Sequence, residues 1–364
     1  MGRTETGVLM QFTPLQVLER HEEIEGACSL VLEKPHGFDY KAGQHLPIRF
    51  IIKGKEARRT YTLSSSPIDQ HLQITVKRVQ GGLVSNHIND NIHVGDLVEA
   101  RPPIGHIFVE CAPTNYQTVY LFAAGSGITP MWSMARTLLA QEPHTQVYLF
   151  YGNQSEDTII FRQALEKLQE QYGERLGVAH ALSEPKRESW SALWREDVIQ
   201  EAYKGWIDGE KLRSFLDVCR PKSQNCSYYI CGPGGMNSNL RDALLALQVP
   251  TEDIHIEYFK APEKTEVGTK VRGVDGQAEI KLDGQAHSIF VPRGKTLLQA
   301  ALDAGLDAPY SCEAGICATC RARLLSGKVD MPSAPALEQK EMKQGIILTC
   351  QSWANSAELA ISYD

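Results

Sequence analysis

Four cysteines near the C-terminal end constrain this chain more than any other feature. Cys312, Cys317, Cys320 and Cys350 stand in the pattern C-x4-C-x2-C-x29-C. Three of them share the loop SCEAGICATC, so whatever fold forms there must gather three thiols in one tight turn. This spacing suits four thiolates holding two irons bridged by sulfide, a [2Fe–2S] centre. Gly315 and the small residues Ala314, Ala318 and Thr319 let the loop wrap closely, so that backbone N–H groups can point at the sulfurs. A structural zinc site is the alternative, although zinc ribbons usually pair their cysteines as C-x-x-C twice. The other five cysteines, Cys28, Cys111, Cys219, Cys226 and Cys231, are scattered. An odd total of nine argues against a disulfide scaffold and for a reducing, cytoplasmic setting.

The 364 residues imply two or three domains. The polar segment from Ala261 to Gly276 is the linker candidate. The expected divisions are 10–113, 114–260, a linker over 261–273, and 274–364. In the first part HLQITVKRV alternates, and GQHLPIRFII and GDLVEARPPIGHIFV read as further strands, which together suggest a small antiparallel β-barrel. In the middle, QTVYLFAAGSGITPMWSMARTLLA runs strand, turn, helix. QVYLFYGNQSEDTIIFRQALEKLQEQYG and CSYYICGPGGMNSNLRDALLAL repeat that layout, as expected for a parallel sheet covered by helices. The last part opens with hairpin strands AEIKLDG and HSIFVPRG and a short helix LLQAALDAG. After the cysteine loop come a strand ARLLSGKV and a late strand from Ile346 to Cys350.

Composition removes other classes. A net charge of -7 disfavours nucleic acid and anionic lipid as partners. No apolar run approaches the ~20 residues of a membrane span, and the N-terminal stretch lacks a secretion-signal core. No carboxylate pair, Ser–His–Asp set or metal-spaced histidines are visible.

Two further motifs suit redox cofactors. In RRTYTLSSSP, Tyr61 can stack on an isoalloxazine, Arg59 can neutralise phosphate, and the hydroxyls can donate to phosphate or flavin. Equally, Tyr61 can be a core aromatic and Arg59 a solvated charge. GGLVSNHI places Ser85 as the N-cap of a short helix, whose free N–H groups would suit a pyrophosphate and so FAD over FMN. AAGSGITPM follows an apolar strand and opens a helix. Gly125 and Gly127 permit close backbone approach to a phosphate, and Pro130 in the first turn costs nothing.

The C-terminal region, from about Val274, resembles the plant-type ferredoxin domain, carried by CEAGICATC, CRARLLSGKVD and ILTCQS. The resemblance implies an α+β (β-grasp) fold and a one-electron centre near the surface, its cysteine loop facing an electron partner. Glu313 stands where many such domains carry a basic or small residue. Residues from about Phe12 to Lys260 resemble the ferredoxin-NADP⁺ reductase superfamily. Its R-x-Y-[ST]-x-x-[ST] motif is matched by Arg59, Tyr61, Thr62 and Ser65, its G-x-G-[IL]-[TA]-P by residues Gly125 to Pro130, and its C-G-P-x-x-M by Cys231, Gly232, Pro233 and Met236.

This resemblance implies that Tyr61 stacks on the flavin, Arg59 contacts phosphate and Thr62 lies near the reactive ring nitrogen. Leu63, Ser64, Ser65, Val76 and Lys77 belong to the same flavin site, as do Gly81, Gly82, Leu83, Val84 and Ser85 of the second element. Gly125, Ser126, Gly127, Ile128, Thr129 and Pro130 would hold the pyridine nucleotide. Cys231, with Gly232, Pro233 and Met236, would sit near the nicotinamide–flavin contact as a small wall and not as a nucleophile. In IHIEYFK, Glu257 would aid proton or hydride geometry and Tyr258 or Phe259 would cover the flavin. Tyr61, Thr62, Cys231 and Glu257 are thus the candidate catalytic set. FAD is expected; the phthalate dioxygenase reductase type, with its ferredoxin domain also last, uses FMN. The family often has Arg after YGN for a 2′-phosphate, and Gln154 stands there, while Trp206 and Ile207 replace another positive position. Lys186 and Arg187 are other candidates. NADPH or NADH both remain, with a lean to NADPH from the overall likeness.

The order flavin, nucleotide, ferredoxin resembles reductase components of multicomponent oxygenases, nearest the phenylacetyl-CoA epoxidase and ketosteroid hydroxylase reductases. The implied enzyme takes hydride from NAD(P)H onto FAD and passes single electrons through the cluster to a diiron or Rieske oxygenase. A general ferredoxin or flavodoxin reductase, and a redox sensor, are the alternatives.

Overall fold

The computed structural model describes residues 12–186, 204–259, 271–337 and 339–364. The N-terminal stretch, Arg187, Lys260 and most of the expected linker lie outside them.

The first sheet has six antiparallel strands: β1 (Thr13–Ile24), β2 (Ala27–Leu32), β3 (His45–Ile52), β4 (Lys55–Thr62), β5 (Leu72–Lys77) and β6 (Leu97–Ala100), in the order β4-β3-β6-β1-β2-β5. A bridge between Leu63 and Ile74 joins the two end strands and closes the barrel. Leu72, Ile74 and Val76 of β5 point inward, as their alternation requires, and pack with Leu15, Leu30, Leu46 and Ile48. GDLVEARPPIGHIFV is corrected: only Leu97–Ala100 is a strand, and Ile104 keeps one bridge to His45. Pro102 and Pro103 have no N–H to extend a ladder.

The second sheet is wholly parallel: β7 (Thr118–Ala124), β8 (Gln146–Asn153), β9 (Leu176–Leu182), β10 (Cys226–Cys231) and β11 (Ile254–Glu257), ordered β11-β10-β7-β8-β9. Its inner strands are buried on both faces and accordingly read as apolar runs, while the edge strand β11 is half-buried. Helices 128–141, 162–172 and 234–246 follow β7, β8 and β10 as expected. The sequence reading missed β9 and the helix Gly209–Val218. The latter carries its own signal: Asp208 caps the N–H groups of Glu210 and Lys211, and Leu212 and Phe215 are its buried residues.

The third sheet comprises β12 (Gly276–Leu282), β13 (Gln285–Val291), β14 (Arg321–Ser326), β16 (Ile346–Leu348) and β18 (Glu358–Ser362), ordered β13-β12-β18-β14-β16, with β15 (Val329–Asp330) and β17 (Trp353–Ala354) paired beside it. β12 and β18 are parallel and the rest antiparallel, a β-grasp around helix 297–303. Thr296 and Gln299 cap that helix reciprocally. The late strand stops at Leu348. Cys350 sits in the 3₁₀ turn 349–351, which swings its thiol toward the cysteine loop, and β18 was not foreseen. Among the described residues no helix is long and apolar enough to cross a membrane.

Candidate functional site

A cavity of about 380 Å³ opens where the three sheets meet, within the size range of small-molecule sites. The barrel contributes Arg59, Tyr61 and Thr62 from β4, Val76 and Lys77 from β5, and Gly82, Leu83, Val84 and Ser85 from the start of helix 83–91. The second sheet contributes Ser126, Thr129, Glu257, Tyr258 and Phe259. Cys312, Ile316 and Cys317 of the cysteine loop form the remaining wall. The loop therefore turns Cys312 and Cys317 inward, toward this chain's own cavity.

Two helices begin on this cavity, after Gly82 and after Gly127, and neither has a side-chain cap. After Gly82 the first N–H groups are thus left for another acceptor, which suits a phosphate, whereas at the second helix the Ile128 N–H already donates to the Gly125 and Ser126 carbonyls and Pro130 has none to offer. Ser85 is corrected here. It lies inside the first turn, and its Oγ accepts from the Val79 N–H at 3.2 Å. The turn at Gly81 (φ +71) already places Gly82 in the cap position.

The remaining predicted residues lie behind the wall. Leu63, Ser64 and Ser65 are buried; Ser64 bonds the Thr75 hydroxyl at 2.8 Å and Ser65 the Tyr40 hydroxyl at 2.6 Å. Gly125 adopts φ +55. A Cβ on Gly127 would lie 2.0 Å from the Cys231 carbonyl oxygen, so the loops after β7 and β10 touch backbone to backbone there. Ile128 and Pro130 are buried in the first helical turn. Gly232 and Pro233 lead into helix 234–246, where Met236 folds back over Gly232. Burial, with Glu257 second, pushes the Cys231 thiol well above its ordinary value and keeps it neutral.

Glu257 is the chemically notable group. The Thr62 hydroxyl donates to its Oε1 at 3.1 Å, and its Oε2 is buried without a partner. Burial raises its carboxyl to about 8, with the Thr62 bond opposing that rise. His45 Nδ1 stands 4.0 Å from the same Oε1. Burial, with His106 second, lowers His45 to about 4, so at neutral pH the ring is uncharged and the contact is dipolar. His45 Nε2 donates to the Cys317 carbonyl at 3.0 Å, since a carbonyl can only accept. Sequence reasoning missed His45 and Ile316. A histidine within an apolar strand gives no local signal, and only the fold brings Cys317 to it.

The four thiols fall into two pairs, Cys312 with Cys317 and Cys320 with Cys350, each in mutual contact. Among the described residues no three Cys, His, Asp or Glu groups converge on a single ion. Two thiol pairs fit two bridged irons better than one tetrahedral zinc. The Cys317 thiol and the N–H groups of Ala314, Ile316 and Cys317 draw Cys312 below the ordinary thiol value. Ala314 N donates to its sulfur at 3.3 Å, and Thr319 Oγ1 lies 3.0 Å from Cys317 Sγ. Glu313 and Ala318 take left-handed conformations beside Gly315 to complete the wrap.

The adenosine-specificity candidates are spread along the second sheet's edge. Gln154 donates to Glu184 at 2.9 Å, Lys186 pairs with Asp157, Ile207 is buried and Trp206 is exposed.

A closed barrel, a parallel nucleotide sheet and a β-grasp domain sharing one cavity define a flavin- and iron–sulfur-dependent oxidoreductase. Residues 21–109 match the oxidoreductase FAD-binding domain family, 121–242 the oxidoreductase NAD-binding domain family, and 280–355 the 2Fe-2S iron-sulfur cluster binding domain family. The chain is 32% identical to one component of the 1,2-phenylacetyl-CoA epoxidase of Escherichia coli K12, over 97% of its own length and 98% of the relative. It is 36% identical to the ferredoxin reductase component of 3-ketosteroid-9-alpha-monooxygenase of Mycobacterium tuberculosis, over 96% and 95%. Phthalate dioxygenase reductase, described as modular for electron transfer from pyridine nucleotides to [2Fe-2S], superposes with TM-score 0.57 at 25% identity, over 96% of this chain and 98% of that one. The chain belongs to the family of oxygenase reductases that join FAD-binding, NAD-binding and [2Fe–2S] domains in one polypeptide.

Proposed function

We propose that this chain draws electrons from NAD(P)H and delivers them singly to a separate oxygenase of the diiron or Rieske type. When bound, FAD takes up two electrons together and gives them up one at a time, and a [2Fe–2S] cluster carries one. The observation that carries the reading is the shared cavity: Cys312 and Cys317 line the same space as Tyr61, Thr62 and Ser126. In this reading Tyr61 packs on the flavin ring, Arg59 and the helix start at Gly82 meet its phosphates, and Ser126 and Thr129 meet those of the nicotinamide cofactor. The Thr62 hydroxyl donates to Glu257, fixing the carboxyl that holds a proton at neutral pH. The buried Cys231 keeps the loops after β7 and β10 close without a charge. Cys312, Cys317, Cys320 and Cys350 ligate the irons.

Nine free cysteines suit a reducing interior, and we place the protein in the cytoplasm. The test is an anaerobic titration with NADH and with NADPH, followed by visible and EPR spectroscopy, then turnover with a candidate oxygenase. Flavin bleaching followed by a rhombic EPR signal is expected. Zinc in place of iron, or no such signal after reduction, overturns the reading.

A further inference from the structure

The ferredoxin domain meets the barrel through two contacts that the cofactors do not require. Asp307, ahead of the cysteine loop, accepts from Arg58 Nη2 at 2.9 Å and from Arg101 Nη2 at 3.1 Å. Both guanidinium groups are buried, with 7% and 5% of their side chains exposed. Within the barrel Arg49 is matched by Glu99 and Arg58 by Glu56. Among the described residues Arg101 has its one ion pair across the interface, with Asp307. Tyr310 adds its ring face, 4.4 Å from the Arg58 guanidinium. The interface thus covers a positive charge whose counter-charge belongs to the neighbouring domain, and separation removes that pairing. The second contact is the His45 bond to the Cys317 carbonyl, at the cavity wall. The paired strands β3 and β4 join the two contacts, since His45 opens β3 opposite Thr62 while Arg58 of β4 faces the interface.

We propose that Asp307 clamped by Arg58 and Arg101, together with the Cys317 carbonyl held by His45, forms a two-point latch that docks the ferredoxin domain in its electron-receiving position. His45 is the positioning residue that sets the cysteine loop against the cavity. No bond forms or breaks at the latch, and the electron count of the reaction is untouched. The proposal rests on the reading that flavin and cluster occupy the shared cavity and the cysteine loop.

The test uses the cofactor-loaded full chain. Asp307→Lys places a like charge against two buried arginines and is expected to enlarge the maximum dimension in small-angle X-ray scattering. In anaerobic stopped-flow, flavin bleaching by NAD(P)H is expected within about twofold of the parent, since Asp307 is remote from the nucleotide side. Cluster reduction is expected to slow by about several-fold, since Asp307 keeps 63% of its side chain exposed and the pair is partly screened. Should Asp307→Lys fail to fold, as read by circular dichroism, Asp307→Asn is measured and must slow cluster reduction in the same direction. For His45, the Leu variant is expected to shift the cluster's EPR spectrum and the Gln variant, which keeps an N–H donor, to restore it.

Unchanged scattering and parent-rate cluster reduction in a folded Asp307 variant overturn the clamp. Expansion without slowing overturns its electron-receiving role, and a Leu variant spectrally identical to the parent overturns the role of His45. Parent protein lacking any cluster signal overturns the functional reading instead, while the scattering comparison still decides the clamp.

Discussion

The cavity's two sides are built on different principles. The ferredoxin side is a loop whose shape is written in its own residues: three thiols within one turn, with Glu313, Gly315 and Ala318 all left-handed to point N–H groups inward. The nucleotide side is shaped at a distance. Gly127 is required there because the Cys231 carbonyl, from another strand, occupies the space a Cβ would need. One side is a local loop of thiols, and the other is a close approach between chain segments far apart in sequence. They should therefore fail separately when either is broken.

The largest effect is expected on the ferredoxin side. Replacing Cys317 by Ser substitutes a hard oxygen for a soft thiolate in a buried pair. The [2Fe–2S] absorption and EPR signal should be lost, and cytochrome c reduction should fall by more than about tenfold as the one-electron outlet disappears. Flavin bleaching by NAD(P)H should persist. Complete loss of bleaching in a folded variant would contradict the separation of the two sides.

The nucleotide side breaks next. Gly127→Ala drives a Cβ to 2.0 Å from the Cys231 carbonyl, a collision of backbones that no rotamer relieves. A cost of about 2–4 kcal/mol is expected, read as a lower thermal midpoint. Gly125→Ala is the control. Its strain is the left-handed φ of +55, its nearest neighbour is Lys77 Nζ at 3.9 Å, and about 1 kcal/mol should suffice. Equal losses in the two variants would show that close approach is not what fixes this loop.

The same contrast explains what the sequence made legible. The cysteine loop could be read because three of its thiols are neighbours, while Cys350 is carried back to them from far along the chain by β16 and the turn after it. Strand β5 and the hairpin β12–β13 were readable from alternation, which burial enforces residue by residue. Arg59, Tyr61 and Thr62 line one cavity because one strand carries them all. His45, Asp307 and Arg101 were not readable, because their partners lie 272 and 206 residues away. Nothing in GQHLPIRF separates a histidine that holds a carbonyl of the next domain from one that merely fills a core. The false strand over residues 104–109 had an apolar pattern, yet Pro102 and Pro103 before it carried the contrary signal.

A smaller effect tests the carboxyl at the junction of the two sides. Glu257 holds its proton up to about 8 when folded, against an ordinary 4.5. The folded chain therefore binds a proton that the unfolded chain has released, and stability falls as pH rises between those values. His45, lowered to about 4, has the opposite slope up to its ordinary 6.5, so the two oppose each other below that point. From pH 6.5 to 8 the Glu257 slope is free of that opposition and should cost about 2 kcal/mol, at 1.4 kcal/mol per pH unit. Glu257→Gln should flatten the decline in thermal midpoint over this range. An identical pH profile in parent and variant would mean that the carboxyl is ionised in the folded chain.

The smallest effect is expected where the nucleotide side is loosest, at its rim. Glu184 lies just beyond β9, paired with Gln154 just beyond β8, at the carboxyl ends of parallel strands where nucleotides bind in such sheets. An acid there favours free ribose hydroxyls, and a guanidinium favours a 2′-phosphate. Glu184→Arg should raise kcat/KM for NADPH relative to NADH by several-fold, about 1 kcal/mol, because the site is solvent-exposed and the new charge is screened. The shift should shrink with added salt, whereas the Gly127 defect should not, since a steric collision has no ionic strength dependence. A Glu184→Arg ratio unmoved at low salt would place the adenosine ribose elsewhere along the sheet edge.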